Sequence, residues 1–254
     1  MIDKFASVLI LSLLFISCNS SLKEPIEITI DQSTLTECAT AACPEVLVEY
    51  IQYEIDAKKT RALNDSINNF IINSLNLGDP AAAAIATNPN EAIQYFIKDY
   101  WRDTSEFPEI NEYEAEVIVI ENFRSDDLIS IEMSQYSYTG GAHGYNSVSF
   151  LNVDSKTGEV ITNNQFIKDK NALTVLAENK LRENYNLSKT DNINAGVFWF
   201  ENDTFYLSNA IGISNGNLVI HYNSYEIASY ADGSIDIELP LEEAAPFLNY
   251  SVKN

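Results

Sequence analysis

The spacing of apolar residues changes once along this chain, and that change restricts its fold more than any other feature. Between residues 63 and 101 apolar side chains recur at intervals of three and four: Leu63, Ile67, Phe70, Ile71 and Leu75, then Ala92, Ile93, Phe96, Ile97, Tyr100 and Trp101. Each set forms the stripe of an amphipathic helix. Gly78 and Pro80 stop the first helix, and Asn88 with Pro89 caps and starts the second. From Glu112 the period falls to two. EYEAEVIVIEN, then LISIEMSQYSY from Leu128, then YNSVSFLNV from Tyr145 read as three strands joined at RSDD and TGGAHG. Upstream, EVLVEYIQYEI from Glu45 to Ile55 is dense in β-branched and aromatic residues and reads as a further strand. A third helix is predicted over 169–185, with Leu173, Leu176, Ala177, Lys180 and Leu181 on its inner side. IGISNGNLVIHYN, whose Asn215-Gly216 is a hairpin signal, and SIDIELP complete the strands. The pattern predicts an α+β fold in which antiparallel sheets carry helices packed on one face.

At 254 residues the chain has room for one large domain or two small ones. Hydrophobic residues at 46% and aromatics at 11% exclude a mainly disordered polypeptide. A formal net charge of −22 repels nucleic acid and anionic lipid head groups. It favours a cationic partner, or serves solubility alone. The amino-terminal stretch MIDKFASVLILSLLFISC has Lys4, an apolar run over Val8 to Ile16, and small Ser17 before Cys18. A nine-residue run falls well short of the ~20 residues that span a bilayer. A buried helix is the structural alternative; the layout is that of an export signal. Its end resembles a bacterial lipoprotein box, which implies a signal peptide over 1–17 and acylation of Cys18. Residues 18–44 are then expected to be lipid anchor and tether, with polar NSSLKEP over 19–25 lifting the fold off the membrane. The expected location is the cell envelope, lipid-anchored, at a periplasmic face or the cell surface. In such a compartment Cys38 and Cys43 are expected to form a local disulfide worth about 2 kcal/mol. A metal site there would need two more ligands, and the chain has only two histidines, His143 and His221, 78 residues apart. No metal and no cofactor are expected.

Three of the nine glycines, Gly140, Gly141 and Gly144, surround His143 in YTGGAHG. Adjacent glycines between strands suit a turn that needs positive φ, and Gly141→Ala is then expected to cost more than ~1 kcal/mol and more than His143→Ala. His143 would hold a nearby carbonyl. The alternative is a ligand groove with His143 as polar contact, flanked by Tyr136, Tyr138 and Tyr145, residue types favoured in recognition. His221, inside an apolar strand, is expected to be a satisfied sheet residue. DSKTGEV from Asp154 has oxygen-bearing side chains like a calcium loop, but Ser155 is misplaced and no glutamate closes it, so a hairpin turn with Gly158 is expected.

EYIQYEIDAKKTRALNDSINNFI, YTGGAHG, NVDSKTGEVIT and HYNSYEIASYADGSIDIELP together resemble the exported two-part module of PdaC-type peptidoglycan deacetylases and RsiV-type lysozyme-sensing anti-sigma factors. Ser224 and Ser229 stand where the late motif tends to carry prolines. The resemblance implies two closely associated subdomains, a PdaC-like α+β domain over 45–155 and a β-rich domain of unknown function over 156–254. It implies no active site, because deacetylation in such proteins belongs to a separate domain with an Asp pair and an H-x-x-x-H metal pair. Asp126-Asp127 lies in a polar turn, where adjacent aspartates are common. The expectation is a non-enzymatic envelope protein, joined to a membrane by its lipid and binding no nucleic acid. Its ligands would be peptidoglycan fragments or a cationic protein such as lysozyme. An envelope hydrolase with an unrecognised site, or a structural partner in an envelope assembly, are the alternatives.

Overall fold

The computed structural model describes residues 21–39, 41–54, 59–78, 86–107 and 113–253. The expected signal segment and Cys18 lie outside them, as does Ile55 at the end of the expected first strand. Six strands form the first sheet in the order of the chain: β1 (Ile26–Asp31), β2 (Glu45–Gln52), β3 (Glu114–Arg124), β4 (Leu128–Tyr138), β5 (Tyr145–Asp154) and the short β6 (Val160–Ile161). Its pairs are antiparallel except β2 with β3, which run parallel. A parallel pair needs a long crossover. The two amphipathic segments supply it, as α1 (Arg61–Ser74) and α2 (Pro89–Glu106). Asn88 Oδ1 accepts from the Glu91 amide at 3.0 Å, so the asparagine caps α2 as its position before Pro89 predicts.

Period two decides which face these helices cover. Val46, Val48, Val117, Val119, Ile129 and Ile131 point to one side and are buried with Leu63, Ile67, Ile71, Ile93, Phe96 and Ile97 of the helices. The opposite face of β2 and β3 carries Glu45, Glu49, Glu114 and Glu116, all exposed. β1 falls within the stretch expected to be tether, and Leu22, inside NSSLKEP, is already docked: it is buried, its amide donates to Ser155 O at 2.6 Å, and its carbonyl accepts from Arg124 at 2.7 Å. The missed strand has a physical reason. β1 is an edge with one buried side chain, Ile30, so its apolar signal is weak.

The second sheet contains β7 (Ala210–Ser214), β8 (Asn217–Tyr222) and β9 (Ile235–Pro240), all antiparallel. Asn215 and Gly216 turn the β7–β8 hairpin with φ of 50° and 77°, the pair of positive values that a two-residue loop demands. One short helix, α3 (Asn163–Phe166), and one long one, α4 (Lys170–Asn184), lie between the sheets in sequence. Leu173, Ala177 and Leu181 of α4 join Ile211, Ile213, Leu218, Ile220 and Ile237 in a second buried cluster. Phe198, Phe200, Phe205 and Tyr222 fill it with tilted and edge-on ring contacts 5.4–6.4 Å apart.

The other face of the second sheet rests on β4 and β5. Gly212 makes this possible, since a Cβ there would lie 2.1 Å from the Phe150 ring. β7 is an edge strand, and side chains from the first sheet occupy its free main-chain groups: Ser130 Oγ accepts from Ile213 N at 2.9 Å, and Asn152 Nδ2 donates to Ile211 O at 2.8 Å. Both side chains are fully buried and meet main-chain groups of an edge that would otherwise be open, while Asn152 Oδ1 is buried without a hydrogen-bond partner among the described residues.

Candidate functional site at the seam

Where the seam reaches solvent, the TGGAHG turn meets the segment that follows β8. Gly140 adopts φ of 79°, and it is this residue whose conformation requires glycine. Gly141 does not: a Cβ on it would meet nothing nearer than His143 O at 3.9 Å, which corrects the expectation placed on Gly141→Ala. Gly144 is needed for space. A Cβ there would come within 2.4 Å of the Tyr136 ring, so the chain passes directly over that tyrosine.

That passage presents the Gly144 carbonyl to two donors. His143 Nδ1 lies 2.9 Å from it, and the Tyr230 hydroxyl donates to it at 3.0 Å. A carbonyl only accepts, so Nδ1 carries the proton, and in the neutral ring Nε2 is an acceptor. The imidazole stacks on Tyr230, ring centroids 3.9 Å apart and planes 24° from parallel. Tyr225 extends the surface, 5.6 Å from Tyr230 and 6.5 Å from His143. Tyr225 is 56% exposed and has φ of 70°, which a bulky non-glycine residue adopts at a cost. The backbone thus holds the Tyr225 ring outward beside the stacked pair.

The residues expected from the sequence separate. Tyr136 supports Gly144, and burial first, then the Glu114 carboxylate, pushes its phenol pKa up. Tyr138 lies two residues along the same face, opposite Glu114 on β3. Tyr145 pairs with Ser137, so it belongs to the other face of the sheet from Tyr136 and Tyr138, and it is exposed there. Sequence reasoning missed Tyr225 and Tyr230. They stand 82 and 87 residues beyond His143, and only the quoted HYNSYEIASYADG segment, treated there as a resemblance, contained them.

His221 sits deeper at the same seam. Its Nδ1 lies 2.7 Å from Asp236 Oδ1 and its Nε2 3.2 Å from Asn223 Oδ1. Asn223 in turn clamps a main-chain edge of the first sheet, accepting from Val148 N at 2.7 Å and donating to Val148 O at 3.1 Å. The two histidines have different partners: His143 has the Gly144 carbonyl and the Tyr230 ring, and His221 has the Asp236 carboxylate and the Asn223 side-chain oxygen. Among the described residues no group of three or more His, Cys, Asp and Glu side chains is placed to hold a metal ion. Asp127, in the turn expected to be structural, pairs with Lys156, and Asp154 Oδ1 accepts from the amides of Lys156 and Thr157 in the tight turn closed by Gly158. Cys38 and Cys43 are joined in a disulfide.

Fold and seam define a two-domain α+β protein in which His143, Tyr225 and Tyr230 gather where the domains meet. Comparison with known families specifies the domains: residues 43–146 match the family described as Deacetylase PdaC, and residues 160–242 match Protein of unknown function (DUF3298). The chain therefore carries a PdaC-like domain followed by a DUF3298 domain, the two-part module that its motifs resemble. A DUF3298 family member from Bacteroides fragilis has a crystal structure that covers 92% of this chain and 96% of its own, at 20% identity and a TM-score of 0.60. A DUF3298 family protein from Pseudomonas aeruginosa covers 91% and 96%, at 15% identity and 0.57. At these identities the likeness is one of fold. A search of curated proteins finds no match.

Proposed function

We propose that this envelope-associated protein is a lipid-anchored binding protein without catalytic activity, and that the aromatic surface formed by His143, Tyr230 and Tyr225 takes a glycan fragment of peptidoglycan. The stacked His143–Tyr230 pair, with strained and exposed Tyr225 beside it, carries this reading. Rigid aromatic faces offer a sugar ring large contact area at small entropic cost, and His143 Nε2 and the tyrosine hydroxyls offer polar contacts for its substituents. General acid–base or nucleophilic chemistry needs a second group within hydrogen-bonding reach, and among the described residues the His143 ring has only a carbonyl there. Titration of the full chain with muropeptides tests the reading: saturable binding that survives high salt is expected.

A cationic protein such as lysozyme is the second reading, favoured by the net charge of −22 and by the exposed glutamates of β2 and β3. Binding of that kind weakens steeply as salt screens the field. The lipid anchor is supported by the apolar run and small residue before Cys18. Cys18→Ala is expected to release the protein into the soluble fraction or leave its signal uncleaved. Mass spectrometry finding an unmodified amino-terminal peptide on the native protein would rule the anchor out.

A further inference from the structure

We propose that the glycan surface at the seam continues along the loop after β8 to Trp199 and Tyr206, so that the ligand is a chain of several sugars; the inference rests on the glycan reading above. Trp199 is 47% exposed although its neighbours Phe198 and Phe200 are both buried, the alternation of an extended chain that turns every second side chain outward. Val197 is exposed two residues before it. The main chain beneath these rings is fixed. Trp199 N donates to Ile227 O at 2.9 Å, and Asn194 brackets Phe200, accepting from its amide at 2.7 Å and donating to its carbonyl at 2.9 Å. Asn202 and Asp203 then reverse the chain with φ of 54° and 53°, Asp203 N donating to Phe200 O and Thr204 N to Glu201 O, both at 3.2 Å. Past this turn the Tyr222 hydroxyl donates to the Tyr206 carbonyl, and the Tyr206 ring meets that of Phe200 edge-on at 5.5 Å. Trp199 and Tyr206 are therefore two exposed rings on either side of one tight turn, held on backbone that has little freedom left to lose on binding.

Both rings are joined to the residues that directly follow Tyr225. Ile227 accepts the Trp199 bond, and Glu226, with Glu201, stands near enough to Tyr206 that, after burial, these carboxylates push its phenol pKa up. Tyr225 abuts the stacked His143–Tyr230 pair, so only two residues of chain and one hydrogen bond separate the seam surface from Trp199. The surroundings select the occupant. Carboxylates beside the rings turn away anionic lipid head groups and nucleic acid. A neutral sugar chain suits both features at once, because its hydroxyls donate to carboxylates while its C–H faces pack on aromatic rings. A single sugar covers one such ring; a run of rings along one loop fits a chain.

The test is calorimetric titration of the full chain with N-acetylchitobiose and N-acetylchitohexaose, neutral probes that differ only in length, with tryptophan emission followed alongside. The hexamer is expected to bind about tenfold or more tightly than the dimer. Trp199→Ala should melt normally and reduce hexamer binding to the level of the dimer while leaving the dimer unchanged, whereas His143→Ala should weaken both. Emission should shift with the hexamer in the wild type and not in Trp199→Phe, since the other tryptophan, Trp101, lies on α2 with its indole bonded to Ala42 O. Equal affinity for the two probes, or hexamer binding that Trp199→Ala leaves unchanged, overturns the inference while the seam reading stands. No binding of either probe overturns both. Self-association of the chain that Trp199→Ala abolishes, with no glycan-dependent shift in emission, assigns these rings to a contact between copies and overturns the inference as well.

Discussion

The two histidines occupy the same seam and illustrate opposite uses of it. His221 is 5% exposed, an oxygen faces each of its ring nitrogens, and through Asn223 it is tied to the main chain of β5. His143 is exposed, bonds one carbonyl with one nitrogen, and spends its ring face on Tyr230. The inner arrangement joins two domains through buried bonds; the outer one joins them through the Tyr230–Gly144 bond and a stacked pair, and leaves aromatic surface in water. Buried polar networks are costly to break because the partners left behind are unsatisfied, whereas an exposed stacked pair is cheap to lose. The difference therefore predicts that stability and binding respond to different substitutions.

The largest effect on stability is expected from the inner side. Asn223→Ala removes both bonds to Val148 and strips His221 Nε2 of its acceptor, and should lower the unfolding free energy by about 2–3 kcal/mol in urea titrations. The same device recurs within each domain, where Asn64 brackets the main chain of Tyr53 and Asn194 that of Phe200. A loss below about 0.5 kcal/mol would remove the distinction between inner and outer groups.

Next in size is the turn that carries His143. Gly140→Ala should cost about 1 kcal/mol through its positive φ, while Gly141→Ala should stay within about 0.5 kcal/mol. Thermal melts of the pair decide this. Reversal of their order would contradict the backbone described for the turn.

Smaller and of opposite sign is Tyr225→Asn. Asparagine tolerates left-handed backbone better than tyrosine, so stability should rise by up to about 1 kcal/mol while binding falls. A variant that is less stable would show that Tyr225 is held in place by packing, and its strain would lose its functional meaning.

Much of this fold was legible because helices and strands with one buried face write their period into the sequence. α2 begins at Pro89 after its Asn88 cap, and β3 to β5 follow three alternating runs. The parallel pairing of β2 with β3 was not legible, since it depends on where two helices return the chain and no local residue records that. Nor was the seam. Ser130 and Asn152 bury polar side chains to meet an edge strand about 60–80 residues further on, and from sequence they are simply polar positions in a strand. The glycine motif announced a demanding turn but not which glycine bears the demand, because positive φ at Gly140 and closeness to Tyr136 at Gly144 are properties of the folded neighbourhood. Of the outer surface, His143 was visible and its stacking partner was not.

The central claim is that the outer surface at the seam binds a glycan by stacking and contributes little to folding. Calorimetric titration of the full chain and of His143→Ala against muropeptides, at about 0.1 M and 1 M salt, tests it most directly; over that range the Debye length shrinks from ~10 Å to ~3 Å. The account predicts that wild-type affinity changes little with salt, and that His143→Ala melts normally and binds about tenfold more weakly. Equal binding by the two proteins, or binding confined to lysozyme and abolished by high salt, would contradict it.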